Sequence, residues 1–174
     1  VSSYNYLSVV SYWNNRWSQP CSGTANTAHD YRNDMGSNTT ATPGVNSTGG
    51  CTTPSGANAL GWGPLDGSWL AMTCTWYNAF GQITNADIRF DTSDRNWTVY
   101  DELLDANTWS FDSVAVHELG HAAGLDHIND STQVMYPYIN GGQKKTLIGT
   151  GDKAGIAAMY GIFDCNTVPG GTCR

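Results

Sequence analysis

Tyr6, Val9, Val10, Trp13 and Trp17 lie three or four residues apart. That spacing predicts a helix over residues 4 to 17 with one buried stripe. Pro20 and Cys21 end it. Residues 21 to 58 are dominated by Ser, Thr, Gly, Asn and Pro and predict a long irregular region with one short strand near Ala28 to Arg32. An irregular stretch of that length is usually functional, metal-clamped or pinned by a disulfide. Asn58 to Trp62 reads as a strand, and Asp66-Gly67 as a turn. Over Trp69 to Tyr77 the pattern has period two. Leu70, Met72, Cys74 and Trp76 share one face, and Ala71, Thr73, Thr75 and Tyr77 the other. Asn78 to Gln82 turns the chain into a further strand, Ile83 to Phe90, with Ala86, Ile88 and Phe90 on one side. The acidic stretch Asp91 to Asp105 is expected to be loop.

Phe111 to Ala123 carries the clearest helical signal. Ser110 or Asp112 can cap it, an acid in the first turn suits the helix dipole, and Gly124 stops it. Residues 128 to 149 read as loop. Gly151 to Tyr160 closes the pattern as a helix packing through Ile156, Met159 and Tyr160. Strands and helices are mixed without a repeat, which predicts an α+β fold with α/β character. The 174 residues form one expected domain, 1–174, with a Cys/Gly/Pro tail over 162–174.

Composition narrows the functional classes. Charged residues make up 13% of the chain and the net charge is −7. Acidic residues outnumber Lys and Arg by 15 to 8, which leaves no basic surface to neutralise phosphates, so nucleic acid is not an expected partner. No apolar run is long enough to span a bilayer. Five cysteines in a Lys-poor, Gly-rich chain point to an oxidising compartment and a secreted protein. The chain opens without a signal peptide, so a secreted protein is expected to be read here in a mature or trimmed form. Asn-x-Ser/Thr sequons at Asn38, Asn46, Asn96 and Asn129 matter only in a glycosylating host.

The chemistry is concentrated in His117-Glu118-Leu119-Gly120-His121-Ala122-Ala123-Gly124-Leu125-Asp126-His127. His117 and His121 are four apart on one helix, so both imidazoles leave the same face. Neutral imidazole nitrogens reach Zn²⁺ at ~2.0–2.1 Å. Glu118 is offset by one residue, so it stands beside a metal and can take a proton from water there. Gly124 can adopt positive φ and turn the chain, which brings His127 back as third ligand. Three protein ligands leave a fourth position open, as a catalytic site needs. Five fixed positions of this kind match by chance at on the order of 1 in 10⁸ starts.

This motif resembles the zinc motif of the metzincin metallopeptidases, H-E-x-x-H-x-x-G-x-x-H followed by a methionine turn, here Val134-Met135-Tyr136-Pro137. It looks most like the matrixin group, including its bacterial secreted members. Leu70-Ala71, then Ala86-Asp87-Ile88-Arg89-Phe90-Asp91, resemble the matrixin edge strand and the strand after it. Met135-Tyr136-Pro137-Tyr138 resembles the methionine turn and pocket wall, and residues 152 to 161 the closing helix. The resemblance covers roughly residues 57 to 161.

It implies a twisted, mostly parallel sheet with one antiparallel edge strand, a backing helix, an active-site helix and a C-terminal helix. It implies one catalytic Zn²⁺ on His117, His121 and His127, Glu118 as general base, and Met135 as a hydrophobic floor. Asp152 is then buried near the methionine turn. The edge strand near Trp69 to Trp76 is implied to bind extended peptide by strand addition. Pro137, Tyr138 and Ile139 are implied to wall the substrate pocket, with a hydrophobic residue preferred after the scissile bond. Structural Ca²⁺ is implied near the acidic loop, with Asp91 and Asp94 the expected ligands.

The chain departs from the pattern in places. Residues 21 to 56 replace a histidine-bearing loop, and His29 is the remaining histidine, so a second, structural zinc is not expected. The first strand is missing or reduced to Val1 to Ser3. Pro137 stands two residues past Met135, so Tyr136 and Tyr138 are not assigned to the metal. No latency-conferring propeptide is visible; a propeptide or inhibitor would come from outside this chain. A monomer is expected. Cys165 and Cys173 flank a Pro-Gly-Gly turn and are expected to pair. Cys21 and Cys51 are a second candidate pair across the irregular region, with Cys74 a buried thiol on a strand. The tryptophans are expected in the core. Two other readings stay open at this level: a non-catalytic binding module, against which the intact Glu118 argues, and a zinc hydrolase of non-peptide bonds.

Overall fold

The computed structural model describes residues 3–17, 28–29, 39–99 and 104–163. The first helix, α1, spans Ser3–Trp17. Its stripe buries Val9, Val10, Trp13 and Trp17 against the helix Phe111–Ala122, α2. Two indole N–H groups lock the pair: Trp13 Nε1 donates to Asp112 Oδ1 at 3.1 Å and Trp17 Nε1 to the Val116 carbonyl at 2.8 Å. A buried indole needs such a partner, and both find it on α2.

The central sheet has three strands in the order β2-β4-β3. β2 (Leu60–Gly63) runs parallel to β4 (Ile83–Asp91), with Leu60 opposite Ile88. β3 (Ala71–Tyr77) runs antiparallel to β4, with Ala71 opposite Phe90, and forms one edge. The antiparallel edge strand is therefore present. The sheet is less parallel than expected, with one parallel and one antiparallel joint among the described residues.

Two short pairs complete the strands. β1 (Ala28–His29) is antiparallel to β7 (Ile162–Phe163), and β5 (Trp97–Thr98) is parallel to β6 (Trp109–Ser110). β5 lies in the acidic stretch expected to be loop. Trp97 and Thr98, a β-favouring pair within that polar run, find a partner only through the fold.

β4 buries both faces. Ile88 and Phe90 enter the main core with Trp17, Phe111, Val116 and Met135. On its other face, Asp87 and Asp91 are fully buried, Asp87 held by the loop before β2 and Asp91 by the Leu65 and Ser93 N–H groups. The Asp87 carboxylate accepts from the backbone N–H of Gly44, Ser55 and Ala59 at 2.8–2.9 Å, the Ser55 hydroxyl and Asn85 Nδ2. One carboxylate thus organises residues 44 to 59. Gly44 allows this approach, since a Cβ there would lie 2.2 Å from the Thr53 carbonyl oxygen.

The same loop corrects the cysteine reading. Val45 bridges Cys51, and Cys51 is disulfide-bonded to Cys74 of β3. Cys74 is not a free thiol, and Cys51 is not available to Cys21. The loop folds back over the outer face of β3, where Val45, Leu65 and Cys74 are buried with Met72 and Trp76 against them. Cys21, Cys165 and Cys173 lie outside the described residues. The tryptophans divide. Trp13 and Trp17 are core, whereas Trp62 stacks on Phe111 with its outer side open and Trp69 is 49% exposed.

α3 spans Thr150–Tyr160. Ile156 is buried and the Tyr160 hydroxyl donates to the Ala123 carbonyl at 2.8 Å. Met159, expected to pack, is 46% exposed and lies over Gly124.

Candidate active site

α2 starts where Ser110 Oγ accepts from the Ser113 N–H and ends before Gly124, whose φ of +97° suits glycine. That reversal returns His127 to the helix face. The Nε2 atoms of His117, His121 and His127 form a triangle with sides of 3.1, 3.1 and 3.2 Å. His117 Nδ1 lies 2.7 Å from the Val134 carbonyl and His121 Nδ1 2.7 Å from the Leu125 carbonyl. A carbonyl only accepts, so each Nδ1 carries the proton and each Nε2 in the neutral ring presents a lone pair. Burial pushes the His117 and His127 imidazoles below their usual pKa, and the two neighbouring imidazoles add to this at His127. The Nε2 lone pairs of His117 and His121 converge with Nε2 of His127 and repel unless a proton or a cation sits among them.

The donor set fits Zn²⁺. A tetrahedral ion with Zn–N of ~2.0–2.1 Å spaces its nitrogens about 3.3 Å apart, close to the observed triangle. These three residues are the cluster of metal-binding side chains found among the described residues. Met135 is buried in the main core. Gly120 makes room for it: a Cβ there would lie 2.4 Å from Met135 Sδ and 3.0 Å from the Trp17 ring. The turn carrying Met135 is held by Asp152, which accepts from the N–H of Val134, Met135 and Gly149 at 2.8, 3.2 and 2.8 Å.

Glu118 is buried on the side of α2 facing β3, and its Oε2 accepts a hydrogen bond from the Thr73 hydroxyl. The histidines and Glu118 open into a cleft of about 560 Å³. One wall is β3 with Ser68 to Leu70. Tyr136 to Ile139 and Lys145 also line the cleft. Pro137, Tyr138 and Ile139 thus line the cleft, with Tyr138 72% exposed.

Asp91 and Asp94 have different partners. Asp91 Oδ1 accepts from the Leu65 and Ser93 N–H groups, whereas Asp94 pairs with Arg95 at 2.8 Å. Sequence reasoning missed Thr73, Gly120 and Lys145. For Thr73 a signal existed: it falls on the strand face that the alternation assigns opposite Cys74. Gly120 sits inside the motif at an unconstrained position. Lys145 had no local signal.

Residues 59–161 match the family model described as matrixin. Over 89 residues the chain is 36% identical to Metalloendoproteinase 2-MMP of Arabidopsis thaliana, covering 47% of this chain and 24% of that protein. Over 102 residues it is 35% identical to Matrix metalloproteinase-16 of Homo sapiens, covering 58% and 16%. Over 89 residues it is 36% identical to the Probable matrix metalloproteinase 095L of Invertebrate iridescent virus 3, covering 51% and 23%. The chain therefore spans less than a quarter of the length of these relatives.

Proposed function

This chain belongs to the matrixin family, and from that membership we propose that it is a secreted, zinc-dependent endopeptidase. The observation that carries the reading is the triangle of His117, His121 and His127 nitrogens, with Glu118 beside it. These histidines hold the ion. When bound, Zn²⁺ supplies a Lewis acid that polarises a carbonyl and lowers the pKa of water. Glu118 takes the proton of the attacking water and passes it to the leaving amine. Thr73 fixes one oxygen of that carboxylate. β3, at the sheet edge, offers backbone N–H and C=O groups to an extended peptide. Its seven residues extend about 20 Å, room for several substrate residues, which favours cleavage within chains. The Cys51–Cys74 bond suits secretion into an oxidising compartment.

The test is cleavage of denatured casein and of a peptide library by zinc-loaded protein. Cleavage lost both on chelation and in Glu118→Ala supports the reading. Cleavage that survives Glu118→Ala overturns the assigned base, and no cleavage of any substrate overturns the activity.

Structural Ca²⁺ at Asp91 and Asp94 is a further part of this reading. Asp91 Oδ2 is buried without a hydrogen-bond partner, a cost that a hard cation would offset. Added Ca²⁺ is expected to raise the melting temperature of the wild type and not of Asp91→Asn. An equal response of both proteins would remove this site.

A further inference from the structure

The cleft wall carries an unusual group. Among the residues lining it, Glu118 and Asp126 are acidic and Lys145 is the one lysine or arginine. Its backbone is fixed: the Lys145 N–H donates to Ser113 Oγ at 2.8 Å, and Ser113 Oγ lies 3.0 Å from Ser110 Oγ. Ser113 is four residues before His117, hence one helical turn away on the same side of α2. Lys145 is therefore anchored about one turn along the helix from the histidine nitrogens.

Its side chain is directed as well. The ammonium lies 4.5 Å from the centre of the Tyr136 ring and 3.4 Å from the Tyr138 carbonyl oxygen. The long hydrogen bond and the ring face hold the head at the wall without using all three of its donors. Among the described residues, no carboxylate lies within ion-pair distance of it. Asp152, which attracts it, is occupied by three backbone N–H groups, and Asp130 is engaged by Thr132. Burial pushes the Lys145 pKa below its usual value, as expected of an ammonium partly withdrawn from water.

A half-buried cation with spare donors, aimed into a cleft that holds peptide, is matched by an anion on that peptide. Resting on the endopeptidase reading, we propose that Lys145 makes this cleft selective for a substrate carboxylate, placed in the recess between the first turn of α2 and residues 136 to 139. Val114, Val134 and Tyr136 line the cleft beside it and would cover the methylenes of a side chain whose carboxylate meets the ammonium. The carboxylate has two sources, an acidic side chain or the free C-terminus of the peptide. The hydrophobic preference implied by family resemblance would then apply to the stem of the bound residue and not to its end.

The experiment uses zinc-loaded full chain and peptides that differ at a single position. One series places Glu, Gln or Leu at successive positions on either side of the scissile bond. A second compares free C-terminal acids with their amides at stepped lengths. The wild type is expected to favour Glu over Gln, or acid over amide, by roughly ten- to hundredfold at one position, the range for a charge-assisted hydrogen bond. The series that responds identifies the source. In Lys145→Met, which keeps the stem, that ratio should fall toward one, and Lys145→Arg should keep most of it. Binding of the same peptides to zinc-loaded Glu118→Ala, with and without Lys145→Met, reads the preference by calorimetry without turnover. A ratio near one in both wild-type series, or a preference that survives Lys145→Met, overturns the proposal. Failure of the endopeptidase reading looks different: no wild-type cleavage of any peptide, while the binding comparison still decides the role of Lys145.

Discussion

The Thr73 hydroxyl of β3 donates to Glu118 Oε2 of α2, across 45 residues of sequence. This bond joins the strand expected to hold peptide to the carboxylate expected to move the proton. Such a bond restricts the carboxylate to one orientation, with one oxygen occupied. Thr73→Val keeps the shape and removes the donor. Its kcat is expected to fall about tenfold, in the range for a hydrogen bond to a charged group, with KM little changed. Thr73→Ser should restore most of the loss. Steady-state kinetics of the three proteins check this, and a loss confined to KM would contradict it.

The Cys51–Cys74 bond closes a separation of 23 residues and ties the covering loop to β3. A loop of that size is worth about 3 kcal/mol through restriction of the unfolded chain. Cys51→Ser is expected to lower the melting temperature by roughly 5–10 °C. Thermal unfolding of both proteins, with and without reductant, measures it. Reductant should affect the wild type more than the variant.

Asp87 predicts an acid limb to stability. Burial acts to raise its pKa, but the bonds from Ser55, Gly44 and Ala59 outweigh it and hold the carboxyl below its usual value. A group depressed by folding stabilises above its unfolded pKa, near 3.9. That contribution is lost as pH falls through the lower folded value. Urea unfolding from pH 6 to pH 2 should show stability declining below about pH 4. Asp87→Asn should be destabilised at neutral pH by about 2–4 kcal/mol, since its amide meets donors with donors. Its acid limb should be shallower.

Gly120 is packed between α2, Met135 and Trp17. Gly120→Ala places a Cβ against Met135 Sδ, and overpacking of that kind costs about 1–3 kcal/mol. The helix propensity of alanine returns up to about 1 kcal/mol. A lower melting temperature than wild type is the expected net result, measured without added metal so that the packing term is read alone.

The zinc motif was legible because it is local. Eleven residues, one helical period and one glycine set the relation of His117, His121 and His127, so no distant contact is needed to infer it. The stripe of α1 and the alternation of β3 were legible for the same reason. The alternation of β4 misled in part. Asp87, Arg89 and Asp91 resemble a solvent face, yet Asp87 and Asp91 are fully buried, because the loop before β2 supplies donors to Asp87 and the Leu65 and Ser93 N–H groups supply them to Asp91. Cys51 reached Cys74 and not Cys21 because that loop folds over β3, which no spacing rule encodes.

Periodicity along one element decides which side chains share a face, and the sequence alone therefore determined the helices, the main strands and the candidate metal ligands. The meeting of Thr73 with Glu118, of Gly44 with Asp87 and of Ser113 with Lys145 spans 45, 43 and 32 residues. Those pairs are brought together by the packing of whole elements. Burial then makes each partner necessary, because a buried polar group without one carries its full desolvation cost. Tertiary structure alone decided them, and with them how the general-base candidate is held, how the loop is anchored and which charge faces the cleft.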